Sequence, residues 1–204
     1  MSGPILQMTN SARIILASTS AIRRKILDGA GIAYEAQRPD ADEEALKRGL
    51  AGLAPAALAL ALARAKALSI AAPGALVIGA DQIMEMDGEI FDKPRDIAEA
   101  AGRLTRCAGR AHRLINAVAV ARDGAVVFEN SDVATLRMRA MTQAEIETYL
   151  NAAGEGVLAS VGAYQVEALG GRLFERIDGD YFTVLGLSLF PLLAFLRRDG
   201  AIAW

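Results

Sequence analysis

Lys66 is the first residue whose placement suggests chemistry. Between Ala51 and Ala72 the only charged side chains are Arg64 and Lys66. Two positions apart is about 200° around a helix, so the pair cannot share one solvated face. Lys66 continues the row Leu58, Leu62 at four-residue spacing and so emerges from an apolar surface. A lysine placed there either snorkels to water or reaches a buried anion. Asp81 is the second such residue. It closes the run VIGAD, which delivers a carboxylate at the end of a buried strand, as a metal ligand or general base requires; a turn-capping aspartate is the plainer alternative. Twelve residues on, Lys93 lies in FDKPRD, held by Pro94 just before a helix. Taken alone it is an exposed loop lysine.

Two further clusters flank these. In LASTSAIRRK a strand ends in Ser18, Thr19 and Ser20 and a helix begins at once, gathering hydroxyls and free backbone N–H groups. Arg23 and Arg24 in the first turn oppose the positive end of the helix dipole, a conflict that a bound phosphate would relieve; a capped helix with two solvated arginines is the alternative. The run Asp40, Asp42, Glu43, Glu44 offers loop oxygens suited to Mg²⁺ or Mn²⁺ bridged to phosphates, or simply a solvated surface. Neither the P-loop nor the dinucleotide-binding glycine motif occurs. His112 has no second histidine beside it, and Cys107 no activating partner, so both read as structural.

These side chains need elements to position them. Arg13 to Ser18 reads as a buried strand, followed by a helix capped by Ser20 and stopped by Gly29 and Gly31. A strand near 33–37 leads into the acidic loop. Pro55 opens a long helix closed by Pro73 and Gly74. A strand then ends at Asp81, and Met84 to Ile90 forms a small hairpin about Asp87-Gly88. A helix over 96–108, a hairpin about Asp123-Gly124, and a helix opened by the Thr142/Glu145 capping box follow. Strands near 172–177 and 181–184 precede a last helix over 189–198. Strands alternating with helices early and hairpins late predict an α/β fold with a mixed sheet.

The charge balance narrows the partners. Twenty-two basic and 24 acidic side chains give a net charge of −2, without the basic excess that a nucleic-acid or anionic-membrane surface calls for. A single cysteine excludes an internal disulfide and suits the cytoplasm. The apolar stretch from Leu50 to Ala63 falls short of the roughly 20 residues a membrane span needs. Residues 1–12 read as a flexible N-terminus without signal-peptide character, and 13–200 as one domain.

In order, these segments resemble the Maf family of nucleotide pyrophosphatases, relatives of the ITPase-like fold. The family's S-x-S-P-R-R motif is met by Ser18 to Arg23, its D-E by Asp42-Glu43, and its A-x-x-K-A by the helix of Lys66. G-A-D ends at Asp81, K-P-R-D spans Lys93 to Asp96, and G-x-[AT]-H spans Gly109 to His112. E-I-E-x-Y, G-A-Y and D-Y-F-x-V-x-G-L follow at Glu145 to Tyr149, Gly162 to Tyr164 and Asp180 to Leu187. Each motif is short; their ordered spacing over about 13–197 carries the resemblance.

The resemblance implies a mixed, twisted central sheet flanked by helices, with two lobes around an active-site cleft. It implies cleavage of a nucleoside triphosphate to the monophosphate and pyrophosphate, a divalent metal (Mg²⁺ or Mn²⁺), and a homodimer. Asp81 would accept the proton of the attacking water and, with Glu43, hold the metal. Ser18, Ser20, Arg23, Arg24, Lys66 and Lys93 would bind the triphosphate. The chain departs from the family at four places. Ile22 stands where the first arginine belongs, Gln82 replaces a threonine, Ala159-Ser160 replaces D-K, and Glu167 replaces a glutamine. Gln82 and Glu167 therefore become the candidates for base specificity. Two other readings stay open: a non-catalytic nucleotide-binding regulator of septum formation, and a phosphatase releasing only the terminal phosphate.

Overall fold

A computed structural model describes residues 12–204; the expectation for the N-terminus lies, but for Ala12, outside the described residues. Among the described residues the sheet has seven strands: β1 (Ile14–Ala17), β2 (Glu35–Gln37), β3 (Leu76–Met86), β4 (Glu89–Phe91), β5 (Ala111–Arg122), β6 (Ala125–Met138) and β7 (Phe174–Asp178). Its order is β2-β1-β3-β5-β6-β7, with β4 pairing β3. β1 runs parallel to β2 and β3, and every other pair is antiparallel, so the expected α/β fold with a mixed sheet is present. Both hairpins turn where expected, with Asp87-Gly88 and Asp123-Gly124 at positive φ.

Side chains of β3 alternate between two environments. Gly79 faces α3 (Pro55–Leu68), where a Cβ would lie 2.2 Å from the Ala63 carbonyl oxygen and 2.5 Å from the Ala67 nitrogen. Glycine is what lets this alanine-lined helix approach so closely. On the opposite face, Leu76, Ile78 and Ala80 join a core with α1 (Ala21–Gly29) and α7 (Leu189–Arg198). Met84 and Met86 join a separate core with α4 (Ile97–Cys107) and α5 (Gln143–Ala153). The two cores lie at the two ends of the long strands and give the expected lobes their physical content.

The join between them decides where the site is. On one edge, β3 is paired by β1 up to Ile78 and by β4 from Met84 onward. Among the described residues, 79–83 between those pairings have an open edge, while their other edge continues unbroken against β5. Asp81 sits at the middle of that gap. It does not end its strand as expected, because the polar pair Asp81-Gln82 interrupts only the apolar pattern, not the ladder to β5.

Three other expectations are corrected. The acidic loop closes into α2 (Glu43–Gly49): Asp42 caps it by accepting the Ala45 N–H at 2.9 Å, and Glu43 and Glu44 favour the positive end of its dipole. Residues 181–184 form α6 (Tyr181–Leu185) rather than a strand, since Asp180 accepts the Thr183 N–H at 3.0 Å and Gly186 ends the turn at φ 107°. The long helix stops at Leu68, ahead of Pro73. No helix among the described residues is long and apolar enough to cross a membrane.

Candidate active site

A cleft of about 1170 Å³ opens over the unpaired stretch of β3. Ser18, Ser20, Arg23, Glu43, Lys66, Asp81, Gln82, Lys93 and Glu167 all line it. Arg24 does not. It is exposed on the outer side of α1 and donates to the Thr19 carbonyl at 2.9 Å, because one step along a helix turns a side chain by roughly 100°.

Lys66 leaves the apolar row Leu58, Leu62 and does not snorkel. Its ammonium lies 2.7 Å from Asp81 Oδ1 and 3.0 Å from Glu43 Oε2, with the Lys66 side chain 8% and that of Asp81 11% exposed. The close approach at Gly79, two residues before Asp81 on the same face of β3, is what brings α3 near enough for this contact. Asp81 Oδ1 is taken by Lys66, whereas Oδ2 has no protein hydrogen bond among the described residues.

The turn from β1 to α1 supplies the next wall. Ser18 Oγ accepts the Ser20 N–H at 3.2 Å, and Ser20 Oγ caps the Arg23 N–H at 3.5 Å. Arg23 donates through Nε to the Gly186 carbonyl at 2.8 Å, so its guanidinium is held from the far side of the cleft. Burial pushes that guanidinium below its ordinary value, against the pull of Asp81 and Glu43. Lys93 reaches in from the loop between β4 and α4. Burial lowers its pKa first, then the nearby charges of Arg23 and Lys66, opposed by Glu43 and Asp81. Arg23, Lys66 and Lys93 thus gather around Glu43 and Asp81, a local cluster of cations that suits a polyanion even though the cleft lining as a whole carries no positive excess.

Gln82 lies on the other face of β3 from Asp81. Its Nε2 donates to the carbonyls of Thr183 at 2.9 Å and Val184 at 3.1 Å, leaving Oε1 as an acceptor beside Gly186. Glu167 is exposed at the rim. It also lines a second groove of about 720 Å³, largely apolar, between α1, α6 and α7. That groove carries no cluster of acids and bases like that of the cleft.

Several contributors escaped the sequence reading. Lys47 of α2 lines the cleft one turn beyond Glu43 and is ion-paired with Asp92. A helical reading of the acidic run would have found it. Asn116 is fully buried, donates to the Asp81 carbonyl at 3.1 Å, and accepts from the Ser188 N–H and hydroxyl at 2.9 and 2.8 Å. It ties the backbone of Asp81 to the start of α7. His112 and Cys107 are buried in the core as expected. Burial pushes the imidazole down to about 4 and the thiol up to about 11. His112 Nε2 is 2.6 Å from the Tyr164 hydroxyl, and Nδ1 has no partner among the described residues.

The donor set bears on a metal. Among the described residues no three of His, Cys, Asp and Glu converge. Glu43 and Asp81, both oxygen donors gathered on one ammonium, are the pair available. Two carboxylates completed by phosphate oxygens are the usual holding of Mg²⁺, so the residues fit such an ion arriving with a nucleotide.

A family model described as Maf-like protein matches residues 13–199. A nucleoside triphosphate pyrophosphatase from Nitrobacter hamburgensis is 48% identical over 192 residues, 93% of this chain and 95% of that protein. One of the same name from Bradyrhizobium diazoefficiens has the same identity and coverage. A 7-methyl-GTP pyrophosphatase from Rhizobium etli is 46% identical over 194 residues, 93% of this chain and 98% of that protein.

Proposed function

The chain belongs to the Maf-like protein family, and from that premise we propose that it hydrolyses nucleoside triphosphates between the α- and β-phosphates. The observation that carries the reading is the Glu43–Lys66–Asp81 cluster at the open edge of β3, faced by Arg23 and Lys93. A water oxygen attacks the α-phosphorus, the bond to the bridging oxygen breaks, and the water's proton passes to Asp81. The carboxylate suits this role because Lys66 occupies one oxygen and leaves the other for the water. Arg23 and Lys93 neutralise the departing pyrophosphate, with Ser18, Ser20 and the free N–H groups of the first turn of α1 beside them. Glu43 and Asp81 would hold a divalent cation, which when bound supplies charge neutralisation to the phosphates. Lys66 keeps the two acids together and in register with the substrate.

Gln82 and Glu167 are assigned to the base. The Gln82 amide nitrogen is committed to α6, which presents Oε1 as an acceptor for a base N–H. The same reading has the enzyme act on free nucleotides in the cytoplasm as a homodimer, and light scattering of the purified protein tests that assembly.

The decisive assay incubates the protein with each standard triphosphate and with 7-methyl-GTP, plus Mg²⁺ or Mn²⁺, and separates pyrophosphate from orthophosphate. Pyrophosphate with a monophosphate is the expected product. Orthophosphate as the sole product would make the protein a terminal phosphatase. Nucleotide binding without any product would make it a regulator.

A further inference from the structure

Two walls of the cleft are carried by segments without regular secondary structure. One is the loop of Asp92 and Lys93; the other runs from Ser160 through Val161 to Tyr164. Both are held from beneath by Arg103 of α4, whose side chain is 5% exposed. One of its terminal nitrogens donates both protons: one to the Asp92 carbonyl and one to the Val161 carbonyl, the latter at 2.5 Å. The other terminal nitrogen donates to Glu99 Oε1 at 3.2 Å, and the guanidinium lies 5.2 Å over the ring of Phe91. Glu99 in turn accepts the Arg95 N–H at 3.1 Å, so the far end of the same loop is held by the same cluster.

We propose that Arg103 is a positioning residue for the triphosphate: one terminal NH₂ group of its rigid guanidinium, bonded to both carbonyls, sets the gap between the Lys93 loop and the Ser160–Tyr164 wall. This rests on the reading of the cleft as a nucleotide site. A rigid guanidinium with a buried stem fixes the angle between two carbonyls as well as their distance, which a single flexible donor does not. Lys93 follows Asp92 directly, so a shift of that carbonyl is a shift of the ammonium. Misplacement on the scale of 1 Å costs on the order of a hundredfold in a preorganised site.

The test compares wild type, Arg103→Met and Arg103→Lys as full-length proteins, by pyrophosphate-release kinetics and by amide hydrogen exchange. In R103M, exchange is expected to rise together in 91–95 and 160–164, with β3 and α3 unchanged. KM for the triphosphate is expected to rise about tenfold or more, with a smaller change in kcat, and R103K to recover part of both effects. Loosening of only one segment, of the whole chain, or of both segments without a change in KM would overturn the proposal. If R103M does not fold, R103K carries the same comparison. A wild type that releases no pyrophosphate refutes the functional reading instead, and the exchange measurement still decides whether Arg103 couples the two walls.

Discussion

The Cβ that Gly79 lacks would lie 2.2 Å from the carbonyl oxygen of Ala63. No L side chain fits that space, and the obstacle is helix backbone rather than a flexible group. Gly79→Ala is therefore expected to push α3 off β3, at a cost of about 1–3 kcal/mol in stability. The same shift draws Lys66 away from Asp81. Activity should fall more than the loss of folded protein accounts for, measured as turnover per folded molecule beside a urea melt. Normal turnover in a folded G79A would mean that the approach of α3 does not set the cluster.

Lys66 and Asp81 form a buried pair, and removing either leaves the other in a different position. In Lys66→Met, Asp81 and Glu43 face each other without their shared cation, and breaking a buried pair this way costs about 3–5 kcal/mol. In Asp81→Asn, Lys66 keeps Glu43, whose side chain is 42% exposed. K66M should therefore destabilise the protein more than D81N, while D81N cuts kcat by roughly a hundredfold or more. Denaturant midpoints and pyrophosphate release on the same samples separate the two effects. Equal midpoints would show that Asp81 does not need its lysine, and an unchanged kcat in D81N would remove it as the proton acceptor.

The parts of this site that were legible in the sequence were those with a local contradiction. Lys66 interrupted an apolar helical row, and Asp81 interrupted an apolar strand. Lys93 carried no such signal and became visible only through the spacing of the family motifs. Arg103 and Asn116 were hidden for a different reason: besides Glu99 and the Ser188 hydroxyl, the groups they tie together are backbone atoms at Asp92, Val161, Asp81 and Ser188, which carry no side-chain signature. The segments 43–49 and 181–185 were misread because capping by Asp42 and Asp180 outweighed, in turn, an acidic run and a β-rich composition. Arg24 was placed in the site by its position in the first turn of the helix beside the family motif, whereas the helical period turns it outward.

His112 is expected to make stability sensitive to mild acid. Its folded pKa is near 4 against an ordinary 6.5, so the unfolded chain takes up a proton that the native core refuses. The native state is favoured fully above pH 6.5 and loses that advantage as pH falls toward 4, by up to about 3 kcal/mol. Urea unfolding at pH 7 and pH 4.5 should show the loss. His112→Phe should flatten the pH dependence across this window, whatever it does to the midpoint at pH 7. A slope equal to that of wild type would assign the acid sensitivity to other groups.

If Lys93 serves the phosphates as proposed, it is expected to set the alkaline limb of activity. Burial and the neighbouring charges of Arg23 and Lys66 lower its pKa, so it loses its proton at a lower pH than a solvated lysine does. A neutral amine no longer offsets the charge of the leaving pyrophosphate, and kcat/KM should fall on the alkaline side before free lysine would titrate. Lys93→Arg keeps the charge to higher pH and should move that limb upward, even if its maximum rate is lower. Lys93→Met should lower the rate by about a hundredfold at pH values below that limb, where the wild-type amine is charged, and by less above it. An alkaline limb at the same pH in K93R and wild type would show that some other group titrates there.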